Sequence, residues 1–321
     1  MLRFLLIYCL CLFILQCEAQ TSFSLQKDKS LSLNLSEHDS LPHNCTFTDK
    51  QKLNIVLISG SASYVGSLII LYNSWYKDYP QSNFHFFNDN NEWFMLDKYA
   101  HAMTSYNMGN LGYHTLLWTG LEEKKAIWYG GFLGSYYLTI IETLDGFSKG
   151  WGASPGDIAA NTSGSLLFCL QQTFWHKQNI RFKYSFMPSP YAQYRPNLLG
   201  TNGFYSIFKD YNGYNCWASF NLKTLFENDE KFPDWLCLSI GYGADGMIGA
   251  SSNPAIYNGQ IMPVFERKRQ FYLSADIDYM RLPVRSKYLK LLFKAISFIK
   301  LPFPALEYNK TDKFKFHPFY F

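Results

Sequence analysis

One histidine sits among carboxylates inside a stretch that is otherwise nearly free of charge. Asp97, Lys98 and His101 stand together as DKYAH, Glu142 and Asp145 as ETLDGF, and Asp157 and Asn161 within GWGASPGDIAAN. On a helix, residues three or four apart share a face, so each short motif presents its polar groups in one direction. Brought together, one imidazole and several carboxylates would shift one another's pKa values, and a Lys or a metal ion would have to offset the repulsion. Three chemistries fit. A divalent metal could bind, although one His with oxygen donors does not fix which. Glu142 or Asp157 could act as a general base with His101 as the acid and Asp145 alongside. An anionic head group could sit at the helix start near Gly156. The plain structural alternative is a buried polar network that locks helix ends, with Asp157 as a cap, Asp97 paired to Lys98 and His101 as a satisfied donor. No GxSxG, HExxH, phosphate-loop or dinucleotide motif is present, and the Gly-rich YGADGMIGA (242–250) reads as a turn.

The elements that must position these groups are readable. Four segments lack Asp, Glu, Lys and Arg altogether: 53–76, 99–121, 126–141 and 158–176. Each has helical length, and small residues recur at helical spacing, as Ser59, Ser63 and Ser67, and as Gly130 and Gly134. That pattern permits close helix–helix approach, in a membrane bundle or a soluble one. Ser154, Pro155 and Asp157 have the types of an N-cap, a first and a third helical residue. The second segment starts, the third ends and the fourth starts at the polar motifs. Alternating up-and-down packing therefore gathers Asp97, His101, Glu142, Asp145, Asp157 and Asn161 at one end of a bundle.

After about residue 180 the period changes to two. Phe182, Tyr184 and Phe186 alternate with Lys183 and Ser185. Cys216, Ala218, Phe220 and Leu222 form a second alternating run, and Phe271 to Tyr279 a third. These read as half-buried antiparallel strands separated by Asn-Gly and Asn-Pro turns. Ser286 could cap a helix running to about Lys300, with Leu289, Leu292, Ile296 and Ile299 on one face and Lys287, Lys290 and Lys294 on another. Such a basic amphipathic helix suits an anionic lipid surface or a sheet. The fold class expected is α+β: an N-terminal bundle of about four helices, then an antiparallel β-rich half carrying the basic helix. A terminal Phe after FKFHPFY resembles the closing strand of an outer-membrane barrel. Pro318 and the shortage of ~10-residue strands weigh against a complete barrel.

Composition narrows the class. The chain has 321 residues, 48% hydrophobic, 19% aromatic and only 17% charged, which excludes a disordered or coiled-coil chain. Net charge is +4, too small by itself to imply nucleic acid as a partner. Residues 267–321 hold 12 Lys and Arg against 4 Asp and Glu, leaving 17 against 21 for the rest. A basic, aromatic-rich end more often meets a membrane surface. Residues 1–19, MLRFLLIYCLCLFILQCEA, read as a secretory signal cleaved before Gln20. The other reading, a lipidated Cys17, suffers from Gln16 at a position that favours small residues. Cleavage leaves Cys45, Cys169, Cys216 and Cys237 in an oxidising compartment, with three pairings open and a buried free thiol as the plain reading of Cys169. The organisation expected is signal peptide 1–19, polar leader 20–50, helical domain 51–178 and aromatic β-rich region 179–321.

DKYAH, ETLDGF and GWGASPGDIAAN with Gly164, in that order, resemble the YfiM-like family of predicted periplasmic lipoproteins and, more remotely, the VanZ-like membrane proteins. The resemblance covers roughly residues 93–172, about a quarter of the chain. It implies an envelope-located helical domain and no established reaction. The leading expectation is an exported protein at the inner side of the outer membrane, with a structural, lipid-binding or partner-binding role. Two rivals are an enzyme acting on an envelope lipid or glycan through His101 with Glu142, Asp145 and Asp157, and a subunit of an outer-membrane assembly docked through its aromatic strands.

Overall fold

A computed structural model describes residues 47–77, 79–201, 203–226 and 231–321. The expected signal peptide, the leader up to residue 46 and Cys45 lie outside the described residues. Helix α1 (Asp49–Leu71) opens with a reciprocal cap: the Thr48 hydroxyl accepts from the Gln51 backbone N–H, and the Gln51 side chain accepts from that of Thr48. Helices α2 (Leu96–Trp118), α3 (Leu133–Asp145) and α4 (Pro155–Trp175) follow. The start of α4 is as its residues dictate, with the Ser154 hydroxyl accepting the Asp157 N–H and Pro155 in the first turn.

α2, α3 and α4 form the packed unit, and small residues let them meet. A Cβ on Gly164 of α4 would lie 1.9 Å from the Ala102 carbonyl oxygen of α2, so only a glycine allows this approach. Gly130 and Gly134 have the same role against Gly112 and Ser105. The fourth helix of the expected bundle, α1, only rests on the side of this unit. It inserts Ser67 and Leu71, and Ser67 accepts from the Tyr137 hydroxyl at 2.8 Å. Leu57, Ile58, Val65, Ile69 and Ile70 stay exposed. Among the described residues α1 is the one helix long and apolar enough to cross a membrane, at 23 residues or about 34 Å.

Six strands then make one antiparallel meander in chain order: β1 (Ile180–Phe186), β2 (Tyr214–Asn221), β3 (Leu236–Asp245), β4 (Lys268–Ile277), β5 (Phe303–Asn309) and β6 (Lys313–Tyr320). The α+β class and all three alternating runs are as expected. The faces carry the surprise. Register aligns Lys183, Trp217, Gly241, Tyr272, Glu307 and Lys315 in one row across the sheet, beside a row with Ser219, Ser239, Ser274 and His317. Apart from the exposed Lys315, this set is the inner face, with polar groups packed around the buried rings of Trp217 and Tyr272. Lys183 lies 2.8 Å from Asp276, Lys300 donates to Ser274 at 3.0 Å, and His317 pairs with Glu307 at 2.7 Å. The sheet curls strongly: Tyr320 at the end of β6 meets Trp217 of β2 at 6.4 Å between rings, where four flat strand spacings would give about 19 Å.

The outer face is apolar. Phe182, Ala218, Ile240, Leu273, Leu306 and Phe316 form one row, and Tyr184, Cys216, Tyr242, Phe271, Tyr308 and Phe314 the next. Its β1–β3 part packs on Trp93, Leu96 and Met103 around the start of α2. The rest is bare, and Phe314, Phe316 and Phe319 are 64–77% exposed.

Helix α5 (Lys287–Ala295) is capped by Ser286 as expected but stops five residues short of Lys300. The reason is an edge contact. Tyr184 of β1 donates its N–H to the Phe298 carbonyl and accepts from the Lys300 N–H, so 298–300 run as a parallel bridge along β1. Lys290 is exposed. Lys294 is not on a free basic face: it is half-buried toward His114, and burial holds its amine below the ordinary lysine range. Leu289 and Leu292, the apolar face for which both a lipid surface and the sheet were open partners, are exposed. Cys169, Cys216 and Cys237 are buried free thiols.

Candidate functional site

The three helix ends meet as the spacing requires, and Lys98 is at the centre. Its ammonium, nearly buried, lies 2.6 Å from Asp89 Oδ1, 2.8 Å from Asp157 Oδ1 and 3.8 Å from Asp97 Oδ2, and it donates a hydrogen bond to Asp157 Oδ2 at 2.9 Å. His101 is one turn on. Its Nδ1 is 3.0 Å from Asn161 Oδ1, and its Nε2 stands 3.9 Å from Asp97 Oδ2 and 3.8 Å from Glu142 Oε1. With the Asn161 oxygen as acceptor, Nδ1 carries the proton and Nε2 presents its lone pair.

The carboxylates are each tied on one side. Tyr211 donates to Asp97 Oδ1 at 2.6 Å, and the Ser154 N–H to Glu142 Oε2 at 3.1 Å. The Ser154 hydroxyl donates to Asp89 Oδ1 at 2.6 Å. Asp145 faces the same cavity but bonds to the Tyr76 hydroxyl instead of joining His101. The groups line a cavity of about 460 Å³, walled by Trp93, Trp151 and Tyr211 among others.

Burial and proximity set the charge states. Burial pushes the Glu142 carboxyl up to about 8 and that of Asp157 up to about 6, against the opposing pull of His101. Burial would raise Asp97 as well, but His101, Lys98 and the Tyr211 hydroxyl together hold it below its ordinary value. The imidazole loses hydration too, yet Asp157, Asp97 and Glu142 outweigh that loss and raise it.

The expected pairing of Asp97 with Lys98 is present at 3.8 Å, and Lys98 adds shorter contacts to Asp89 and Asp157 because it points across to the α4 start. Ser154, not the Asp157 side chain, caps α4. An anion near Gly156 has little room, since a Cβ there would meet Asn90 Oδ1 at 2.2 Å, and the neighbouring Lys98 is already engaged by Asp89 and Asp157. Lys290 and Lys294 lie on α5, far along the chain from this cavity and absent from its lining, and Lys287 is the first residue of the same helix. Three contributors escaped sequence reasoning: Asp89, Ser154 as a donor and Tyr211. Only Asp89 had a local signal, as an acidic residue in the polar turn before α2. Tyr211 is 114 residues from its partner, and no spacing rule reaches that far. It is placed by stacking on Trp93, at the head of three residues with left-handed backbone, Trp93, Phe94 and Met95. Such strain persists where surrounding bonds enforce it. Here the Trp93 N–H donates to the Ala250 carbonyl and the Tyr242 hydroxyl to that of Phe94.

Residues 85–173 match the family described as "Predicted periplasmic lipoprotein (DUF2279)". The match runs from before Asp89 to near the end of α4, so Asp89, Asp97, Lys98, His101, Glu142, Asp157 and Asn161 all fall inside it, whereas Tyr211 and the sheet fall outside. No curated protein and no solved structure matches the chain.

Proposed function

We propose that this chain is an exported envelope protein that works at the outer membrane in a binding role, with its apolar sheet face against lipid. One observation carries the reading: the sheet is polar within and apolar without. In water the opposite arrangement is the stable one, because bare apolar surface costs about 25 cal/mol per Å². In lipid, outward apolar and inward polar residues alternate along each strand. The exposed residues of α1, with Leu289 and Leu292 of α5, extend the same apolar character. Strands of 7–10 residues suit seating in the membrane boundary rather than a closed spanning barrel. The match to a periplasmic lipoprotein family supports the compartment.

The test is co-sedimentation of the full chain with vesicles of phosphatidylethanolamine and phosphatidylglycerol, washed at low and high salt. Hydrophobic seating predicts retention in high salt and at least a tenfold loss of bound protein for Leu273→Arg with Phe316→Arg. Release by salt alone would instead place the attachment on Lys290 and its basic neighbours. A protein that stays in the supernatant at both salts overturns the reading.

An enzyme acting on an envelope lipid or glycan is the second reading, favoured by the placement of His101 and Glu142 3.8 Å apart on an open cavity. It predicts that Glu142→Gln abolishes function in cells while near-UV circular dichroism is unchanged. Retained function would end it.

A further inference from the structure

We propose that the cavity at the junction of α2, α3 and α4 binds one divalent first-row metal ion between His101 Nε2, Asp97 and Asp157, beside Glu142. Each of these groups has one polar atom held by the protein and one left over. Tyr211 holds Asp97 Oδ1 and leaves Oδ2. Ser154 holds Glu142 Oε2 and leaves Oε1. Lys98 donates to Asp157 Oδ2 and leaves Oδ1. Asn161 holds His101 Nδ1 and leaves Nε2. That is the outer-shell arrangement by which metal-binding imidazoles and carboxylates are oriented.

With the imidazole neutral at Nε2 and the carboxyls ionised, the forms a bound cation favours, the leftover atoms are all acceptors, and they face one another. Nε2 is 3.9 Å from the free oxygen of Asp97 and 3.8 Å from that of Glu142, beyond hydrogen-bond reach. Donor atoms of Asp97, His101 and Asp157 all lie within 4.8 Å of one another. Two bonds of about 2.0–2.2 Å to a shared ion span up to about 4.3 Å, so small side-chain adjustments complete the site. A separate observation asks for a ligand. Asp157 Oδ1 is shut off from solvent and has no hydrogen-bond partner, although the Lys98 ammonium is 2.8 Å away out of alignment. Charge agrees: even with Glu142 protonated and His101 cationic, the carboxylates of Asp89, Asp97 and Asp157 outnumber the positive charges of Lys98 and His101. The cavity supplies the entry path. One imidazole with carboxylate oxygens selects Zn²⁺ or Mn²⁺ over Ca²⁺, which takes oxygen donors alone.

The full chain in detergent, stripped with chelator and desalted, is titrated with ZnCl2 and with MnCl2 by calorimetry, and CaCl2 serves as the comparison. One equivalent of Zn²⁺ or Mn²⁺ is expected, with affinity at least tenfold weaker in His101→Gln and in Asp97→Asn. X-ray absorption of the loaded protein should contain one imidazole nitrogen and otherwise oxygen ligands. No uptake of either ion overturns the proposal, as does uptake that both variants leave unchanged or a shell containing sulfur. Should His101→Gln fail to fold, Asp97→Asn decides by the same measure, since its amide keeps one acceptor for Tyr211.

Discussion

Gly164→Ala adds one methyl group where α4 meets the backbone of α2, and its cost follows from distances. The new Cβ would lie 1.9 Å from the Ala102 carbonyl oxygen, 2.8 Å from the Ala102 carbonyl carbon and 3.0 Å from its Cα. The first distance is 1.5 Å below the 3.4 Å at which ordinary contact begins. Every one of these atoms is backbone, so no side chain can swing away and α4 must back off from α2. Overpacking of this kind costs about 1–3 kcal/mol. The same separation stretches the links that cross this interface, Lys98 to Asp157 and His101 to Asn161, which now measure 2.8–3.0 Å. The expected result is a fall in melting temperature on the order of 5 °C, together with loss of metal uptake at the cavity. Gly60→Ala is the matched control. Its Cβ would meet nothing within 4 Å, so removing a helix-interior glycine should stabilise by about 0.5–1 kcal/mol. Thermal unfolding in detergent, followed by circular dichroism, reads both. An unchanged or raised melting point for Gly164→Ala, with the site intact, would refute the claim that this contact sets the α2–α4 distance.

Two further outcomes are expected. Lys98→Met leaves Asp89 and Asp157 buried beside each other without a counter-charge, a loss of about 3–5 kcal/mol in urea unfolding; Lys98→Met combined with Asp157→Asn should recover part of it, and an additive double variant would show that the pair is not coupled. Burial lowers the Lys300 amine from 10.5 to about 8, with Lys183 adding to the effect and Asp276 opposing it. Between pH 8 and 10.5 the unfolded chain therefore holds more protons than the folded one, so stability rises with pH across that window, by about 3 kcal/mol at most; denaturant midpoints at pH 7.5 and pH 10 for wild type and Lys300→Met measure it, and an equal slope in both would remove Lys300 as the source.

The helical half was legible because its signals are local. Charge-free runs gave the helices, Ser154-Pro155 gave the start of α4, and three- and four-residue spacings put polar groups on shared faces. Bundle topology then implied the gathering of Asp97, His101, Glu142, Asp145, Asp157 and Asn161 at one end. What could not be read was the choice of partner among neighbours. Lys98 keeps the adjacent Asp97 only at 3.8 Å, because its side chain reaches Asp157, about 60 residues on, at hydrogen-bond distance. Asp145 falls to Tyr76 for the same geometric reason. The end of α5 was misjudged because the periodicity of Ile296 and Ile299 continues past Ala295, while a long-range bond to β1 straightens the backbone there.

The sheet teaches a different lesson. Period-two alternation identifies a strand and its two faces, but not which face is inside. In β4 the run Phe271, Leu273, Ala275 alternates with Tyr272, Ser274, Asp276, and in a water-soluble sheet the first set would be the buried one. Here Tyr272, Ser274 and Asp276 are at most 3% exposed, whereas Phe271 and Leu273 are 47% and 45% exposed. The inner face is held by charge and hydrogen bonds that need one another: Asp276 between Lys183 and the hydroxyls of Ser219 and Ser239, Lys300 over Ser274 and Trp217, Glu307 under His317. Such a core is specific yet supplies little hydrophobic stabilisation of its own. The apolar burial that ordinarily holds a sheet together must then come from whatever covers the outside. Helix α2 covers β1 to β3, whereas on β4 to β6 Leu273, Leu306 and Phe316 are exposed, the face that the proposed seating in lipid would cover.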